Sequence, residues 1–157
     1  MNSVQIVSNG KVGFGRSPVQ KPGPNQVLIK VHSAPINPSD ILFMKGYYKG
    51  IKLEYPYTPG WEGSGTVVEA GPGMMSKMLI GRRVAFMKAG EKPPTYKLGG
   101  SMAEFCVTDV KQCIPLSEEM TFEEGSSHFV NPLTAIGMVE RLKQLKAKTV
   151  IITAAAS

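Results

Sequence analysis

Four tyrosines crowd residues 47–57: Tyr47, Tyr48, Tyr55 and Tyr57. A phenol donates a hydrogen bond or a proton at neutral pH, so one of them can support an oxygen that gains charge. The same residues also suit the amphipathic rim of a loop, with no chemistry at all. Upstream, Asn37-Pro38-Ser39-Asp40 sets an amide that both donates and accepts close to a carboxyl. An Asx turn ahead of Pro38 accounts for that asparagine too. Asp40 reads as a cap or hydrogen-bond acceptor for a helical turn over residues 41–45 rather than as a base. His32 and His128 stand alone and read as structural or exposed. Cys106 and Cys113, seven apart with no second pair nearby, cannot make a metal cluster by themselves and read as buried thiols. Gly60, Gly63 and Gly65 lack dinucleotide-loop spacing, and strand-like Thr66-Val67-Val68 follows where a helix is required. They fit close backbone packing inside a strand.

The elements that must position these groups follow from periodicity and punctuation. Residues 4–7 form a first strand, followed by a turn carrying Gly10, Gly13 and Gly15, then a proline-marked connector over 18–24. Residues 26–34 alternate, with Val27, Ile29 and Val31 on one face and Lys30 and His32 on the other. Further strands are expected at 65–70, 83–87 and 102–107. Thr121 and Glu124 have capping-box spacing and start a short helix. Asn131-Pro132 supplies an N-cap and a first-turn proline for a second helix, with Leu133, Ile136, Leu142 and Leu145 along one stripe. The apolar run over 149–153 reads as a strand buried on both faces, and the small residues after it as the approach to a phosphate-facing turn.

The whole chain sets bounds on function. Its 157 residues are 42% hydrophobic and 19% charged, enough for a core, and 17 glycines with 12 prolines favour short strands and tight turns. The net charge of +6 is scattered rather than interleaved with aromatics, which argues against a nucleic-acid partner. Arg141, Lys143, Lys146 and Lys148 fit the solvated side of the second helix. No apolar run reaches the ~20 residues of a bilayer span, and the N-terminus has no secretory pattern. A cytoplasmic protein is expected, with the mitochondrial matrix as the alternative.

Six segments, in order, resemble the medium-chain dehydrogenase/reductase superfamily, and within it the zinc-free quinone oxidoreductases and 2-enoyl thioester reductases. They are Ile36-Asn37-Pro38-Ser39-Asp40, Met44-Lys45-Gly46-Tyr47-Tyr48, Pro59-Gly60-Trp61-Glu62-Gly63-Ser64-Gly65-Thr66-Val67, Gly99-Gly100-Ser101-Met102-Ala103-Glu104-Phe105, Val130-Asn131-Pro132-Leu133-Thr134-Ala135, and the closing apolar run. The resemblance implies a mainly β fold. A GroES-like β-barrel catalytic domain over 1–120 precedes the first helix and strand of a truncated Rossmann α/β domain over 121–157.

The resemblance also implies chemistry. Asn37 and Trp61 stand where zinc-dependent relatives have a cysteine and a histidine, and residues 87–100 lack the four cysteines of a structural zinc site, so no zinc is expected at either place. Tyr48 matches the tyrosine beside the substrate in enoyl reductases, with Tyr47 as its rival. Asn37 matches an asparagine near the nicotinamide and Thr134 a threonine near the cofactor, with Asn131 beside it. Glu62 is expected to be structural and Trp61 to shape a pocket wall. The implied activity is NADPH-dependent reduction of a quinone, enone or 2-enoyl thioester by a homodimeric parent, inactive in this fragment alone. The alternative is a non-catalytic GroES-like binding or structural module.

Overall fold

The computed structural model describes residues 1–88, 95–96 and 99–153, and its first element is a hairpin of β1 (Asn2–Ser8) and β2 (Lys11–Arg16). The turn is narrower than its glycines suggested. Gly10 takes a positive φ of 72° at the tip, whereas Gly13 and Gly15 lie inside β2, opposite Gln5 and Ser3. A side chain on Gly15 would collide with the Gln5 amide, so that glycine serves the pairing rather than the turn.

β3 (Gln26–Ser33) is followed by helix α1 (Pro38–Met44), the two-residue β4 (Lys52–Leu53), β5 (Glu62–Ala70), the single turn α2 (Met74–Lys77) and β6 (Arg83–Met87). Two-residue β7 (Thr95–Tyr96), β8 (Phe105–Asp109) and β9 (Cys113–Pro115) complete the strands. An antiparallel five-stranded sheet runs β8-β3-β5-β6-β9. The alternation expected for residues 26–34 holds for Val27 and Ile29, each 0% exposed, and for solvated Lys30. Leu28 departs from it and is buried too. The strand expected at 102–107 is shifted to β8, and the one expected at 65–70 begins earlier, at Glu62.

Val27, Ile29, Val67, Val84, Phe86 and Cys106 form one core on this sheet. Each such side chain, fully buried, contributes about 1.5–3 kcal/mol. A second cluster of Ile6, Phe43 and Tyr57, flanked by Met44 and Trp61, ties β1 and α1 to the start of β5. Gly65 makes the sheet possible, since a Cβ there would lie 2.2 Å from the Lys30 carbonyl oxygen. The close packing expected inside the strand is met at Gly63 and Gly65, whereas Gly60 lies ahead of β5 with a positive φ of 111°.

Helix α3 (Phe122–Ser126) starts at Thr121, whose hydroxyl accepts from the Glu124 N–H while the Glu124 carboxylate accepts from the Thr121 N–H, the expected capping box. Phe122 is clasped between His32, stacked at 4.0 Å, and the Arg83 guanidinium at 4.5 Å. Helix α4 (Val130–Gln144) follows directly.

Two sequence expectations are corrected at this end. Residues 149–153 form no strand, and Val150, Ile151 and Ile152 are 51%, 86% and 76% exposed. A strand needs a neighbour to take its backbone hydrogen bonds, and the described residues offer none here. The apolar stripe of α4 is likewise uncovered, with Leu133, Ile136, Met138, Val139 and Leu145 all exposed. The small residues 154–157, read as the approach to a phosphate turn, lie outside the described residues.

Candidate active site

Glu62 opens β5 and is 0% exposed. A buried carboxylate persists only where donors converge on it. Three do. Its Oε1 accepts from Nδ2 of Asn37 at 3.0 Å, and its Oε2 accepts from the backbone N–H groups of Phe129 and Val130, each at 2.8 Å. Those two amides belong to the start of α4, where unpaired N–H groups and the helix dipole favour an acidic group.

This explains a third correction. The spacing places the N-cap of the second helix at Asn131, but the helix begins at Val130 with Phe129 as its N-cap residue. With Glu62 satisfying the first amides from outside the helix, no local cap is needed. Pro132 still falls in the first turn, where a missing N–H costs nothing. The Asn131 side chain is freed, and its Nδ2 donates to Oδ1 of Asn37 at 3.2 Å.

Asn37 is 4% exposed and links everything nearby. Its backbone N–H donates to Oδ2 of Asp40 at 2.8 Å, closing the first turn of α1. Asp40 is therefore the structural acceptor expected of it. Burial pushes the Asp40 carboxyl above its ordinary 3.8, and the nearby Glu62 charge adds to the rise, while hydrogen bonds from Asn37 and the Trp61 backbone oppose it.

Tyr48 lies apart from this polar node and reaches it through Trp61. Its ring packs edge-on against Phe43 at 5.8 Å and tilts over Trp61 at 6.2 Å, and Trp61 immediately precedes Glu62. The ring borders a cavity of about 330 Å³ whose apolar wall includes Ile6, Phe43, Met44, Ile51 and Leu53. The Tyr48 hydroxyl has no hydrogen-bond partner among the described residues. Tyr47 is 68% exposed against 40% for Tyr48, and of the two only Tyr48 borders the cavity. A smaller cavity of about 230 Å³, beside Arg16, Leu28 and Cys106, shares no lining residue with it.

Of the residues singled out from sequence, Asn37 and Asn131 are bonded directly. Thr134 sits one turn along α4, where its hydroxyl donates to the Val130 carbonyl at 2.5 Å and keeps its capacity to accept. Sequence reasoning gave Glu62 a structural role, and it is the centre of the node. The signal was an acidic residue flanked by Trp61 and Gly63 in a chain segment too apolar to solvate it.

Residues 23–118 match the alcohol dehydrogenase GroES-like domain. The chain belongs to that family and, through it, to the medium-chain dehydrogenase/reductase superfamily. A trans-enoyl reductase of Gibberella fujikuroi is 41% identical over 123 residues, 78% of this chain and 33% of that protein. Quinone oxidoreductase-like protein 2 of Rattus norvegicus is 34% identical over 135 residues, 85% of this chain and 35% of the relative. A protein of Mesorhizobium loti assigned as an NADPH:quinone reductase superposes with a TM-score of 0.86 at 38% identity, covering 100% of this chain and 48% of its own. A mycobacterial protein solved in complex with NADPH gives 0.74 at 25% identity, covering 89% of this chain and 41% of that one. The chain thus spans about a third of these two curated relatives. The GroES-like, mainly β fold expected from the sequence motifs is the fold observed.

Proposed function

We infer that this chain is the substrate-side part of a zinc-independent, NADPH-dependent reductase acting on a quinone, an enone or a 2-enoyl thioester. The observation that carries the reading is Tyr48: an unpartnered phenol at the edge of a cavity that combines apolar side chains with Asn9 and Lys49, joined through Trp61 to the polar node at the start of α4. The catalytic domain extends over residues 1–120, and the cofactor domain begins at 121. The full-length protein is a cytoplasmic homodimer. The 157-residue chain alone does not turn over.

The residues present fit the nicotinamide end of the cofactor. Asn131 and Thr134 are solvent-facing hydrogen-bonding groups on one side of α4, and Asn37 supports Asn131 from behind. When bound, NADPH supplies hydride to a carbon of the substrate. Reduction of a quinone or an α,β-unsaturated carbonyl then places negative charge on the carbonyl oxygen. Tyr48 donates its hydroxyl hydrogen bond, and finally its proton, to that oxygen or to the carbon conjugated with it. Phe43 holds the phenol ring by an edge contact and Trp61 by a tilted one. Zinc independence rests on residue type: neither Asn37 nor Trp61 is a zinc ligand of the Cys, His or carboxylate kind.

Titration of cofactor fluorescence tests the reading. Protein of the relatives' full length should bind NADPH, and the 157-residue chain should bind it far more weakly. Absence of binding by the full-length protein would reject the reductase and leave a non-catalytic GroES-like module.

A further inference from the structure

The polar node has a direction. A carboxylate only accepts hydrogen bonds, so the atom that Asn37 turns toward Glu62 must be its Nδ2, as observed at 3.0 Å. The other end of the same amide, Oδ1, must then face Asn131, which answers with its own Nδ2 at 3.2 Å. Asn131 is therefore left with its carbonyl oxygen outward, on the exposed first turn of α4, with no partner among the described residues. Glu62 does not touch Asn131. Together with Asp40, whose carboxyl also takes a hydrogen bond from the Asn37 side chain, it dictates which atom Asn131 offers.

We propose that Glu62 is a positioning residue that sets the polarity of the Asn37–Asn131 amide pair and so turns the Asn131 carbonyl outward to accept an N–H or O–H donor of the bound cofactor, such as its carboxamide. The identity of that donor rests on the reductase reading above; the polarity does not. Two features make the arrangement more than packing. The carboxylate is locked by the Phe129 and Val130 amides at 2.8 Å, so it cannot rotate away from its role. The segments it joins are also far apart in sequence, Asn37 on the approach to α1 and Asn131 on α4, so only folding sets the direction.

The proposal makes an unusual demand on Glu62→Gln. Only an oxygen can face the two backbone N–H groups, so the new amide must turn its nitrogen toward Asn37. Asn37 then flips, giving up the hydrogen bond its side chain also makes to the Asp40 carboxyl, Asn131 flips in turn, and the outward atom changes from acceptor to donor. Thermal unfolding of the 157-residue chain reads this through Asn131→Asp. In the native background the aspartate opposes Oδ1 of Asn37, and the midpoint falls by about 2–4 °C, the shift of roughly one hydrogen bond in a domain this large. In the Glu62→Gln background the flipped Asn37 donates to the aspartate, and the same substitution raises the midpoint by a similar amount. Without a relay, an acid in the first turn of a helix stabilises both backgrounds, and that result overturns the proposal.

Direct repulsion between Glu62 and the new aspartate would mimic the inversion but would survive Asn37→Leu. The relay requires the inversion to vanish there, and its persistence is a refutation. Should Glu62→Gln fail to fold, the native background still decides. The midpoint of Asn131→Asp must lie below that of Asn131→Ala, and the reverse order overturns the relay. In full-length protein, Glu62→Gln weakens NADPH binding about tenfold and Asn131→Asp in that background restores it, a factor of roughly 1.4 kcal/mol. Inversion on unfolding with unchanged NADPH affinity overturns the cofactor half alone. Failure of the native full-length protein to bind NADPH rejects the reductase reading instead.

Discussion

Tyr48→Phe separates chemistry from packing more cleanly than any other single change in this chain. The ring keeps its edge contact with Phe43 at 5.8 Å and its tilt over Trp61 at 6.2 Å, because neither involves the hydroxyl. That hydroxyl has no partner among the described residues, and the side chain is 40% exposed, so its removal leaves no orphaned buried group. The expected stability change is within about 0.5 kcal/mol, or about 1–2 °C in midpoint for a domain of this size. Loss of a general acid costs about 10²–10⁴-fold in rate, equivalent to about 2.7–5.4 kcal/mol of barrier. The two effects differ by several kcal/mol, well beyond the error of either assay. The measurement is single-turnover NADPH oxidation by full-length protein with a quinone and an enone, alongside thermal unfolding, with Tyr47→Phe as the control. A rate loss below about threefold for Tyr48→Phe refutes the proton role and makes the residue part of a rim. A midpoint fall beyond about 4 °C refutes the claim that the hydroxyl is structurally idle. A loss confined to Tyr47→Phe transfers the role to its neighbour.

Asp40→Asn should stabilise the chain in a pH-dependent way. The folded carboxyl binds its proton more tightly than the unfolded one, so native stability declines as pH rises from about 3.8 through the raised folded value. The Asp40→Asn variant lacks this decline, and the gap in unfolding midpoint should open across that window and then stay constant; parallel profiles would discredit the burial argument. Burial pushes both the Cys106 and Cys113 thiols up to about 12, so neither should react with a thiol reagent near neutral pH until the chain is unfolded. Rapid modification of the native chain would contradict this. Thr121→Ala removes one side of the α3 capping box and should cost about 0.5–2 kcal/mol by denaturant unfolding. The carboxyl of Glu124 is held below its ordinary 4.5 by the Thr121 hydrogen bonds. That part of the stabilisation exists above pH 4.5 and is lost as pH falls through the folded value, so a cost that grows on acidification would be inconsistent with it.

Local signals were sufficient wherever neighbours in sequence set the geometry. Alternation located β3 and the Thr121–Glu124 spacing located α3, since each depends on contacts within a few residues. Family motifs read from the sequence correctly placed the chain among GroES-like domains. The same local reasoning misplaced the start of α4, because the group that satisfies its first amides is Glu62, more than sixty residues upstream. It also made a strand of residues 149–153, because β-branched composition records a preference for a sheet and not whether an edge is there to pair with. The sequence by itself determined the residue types available for chemistry: a phenol, two amides and a carboxylate. Only the tertiary structure decided how they act together. A hydrogen bond has a direction, and the direction of the Asn37–Asn131 pair comes from a carboxylate that folding alone brings into reach.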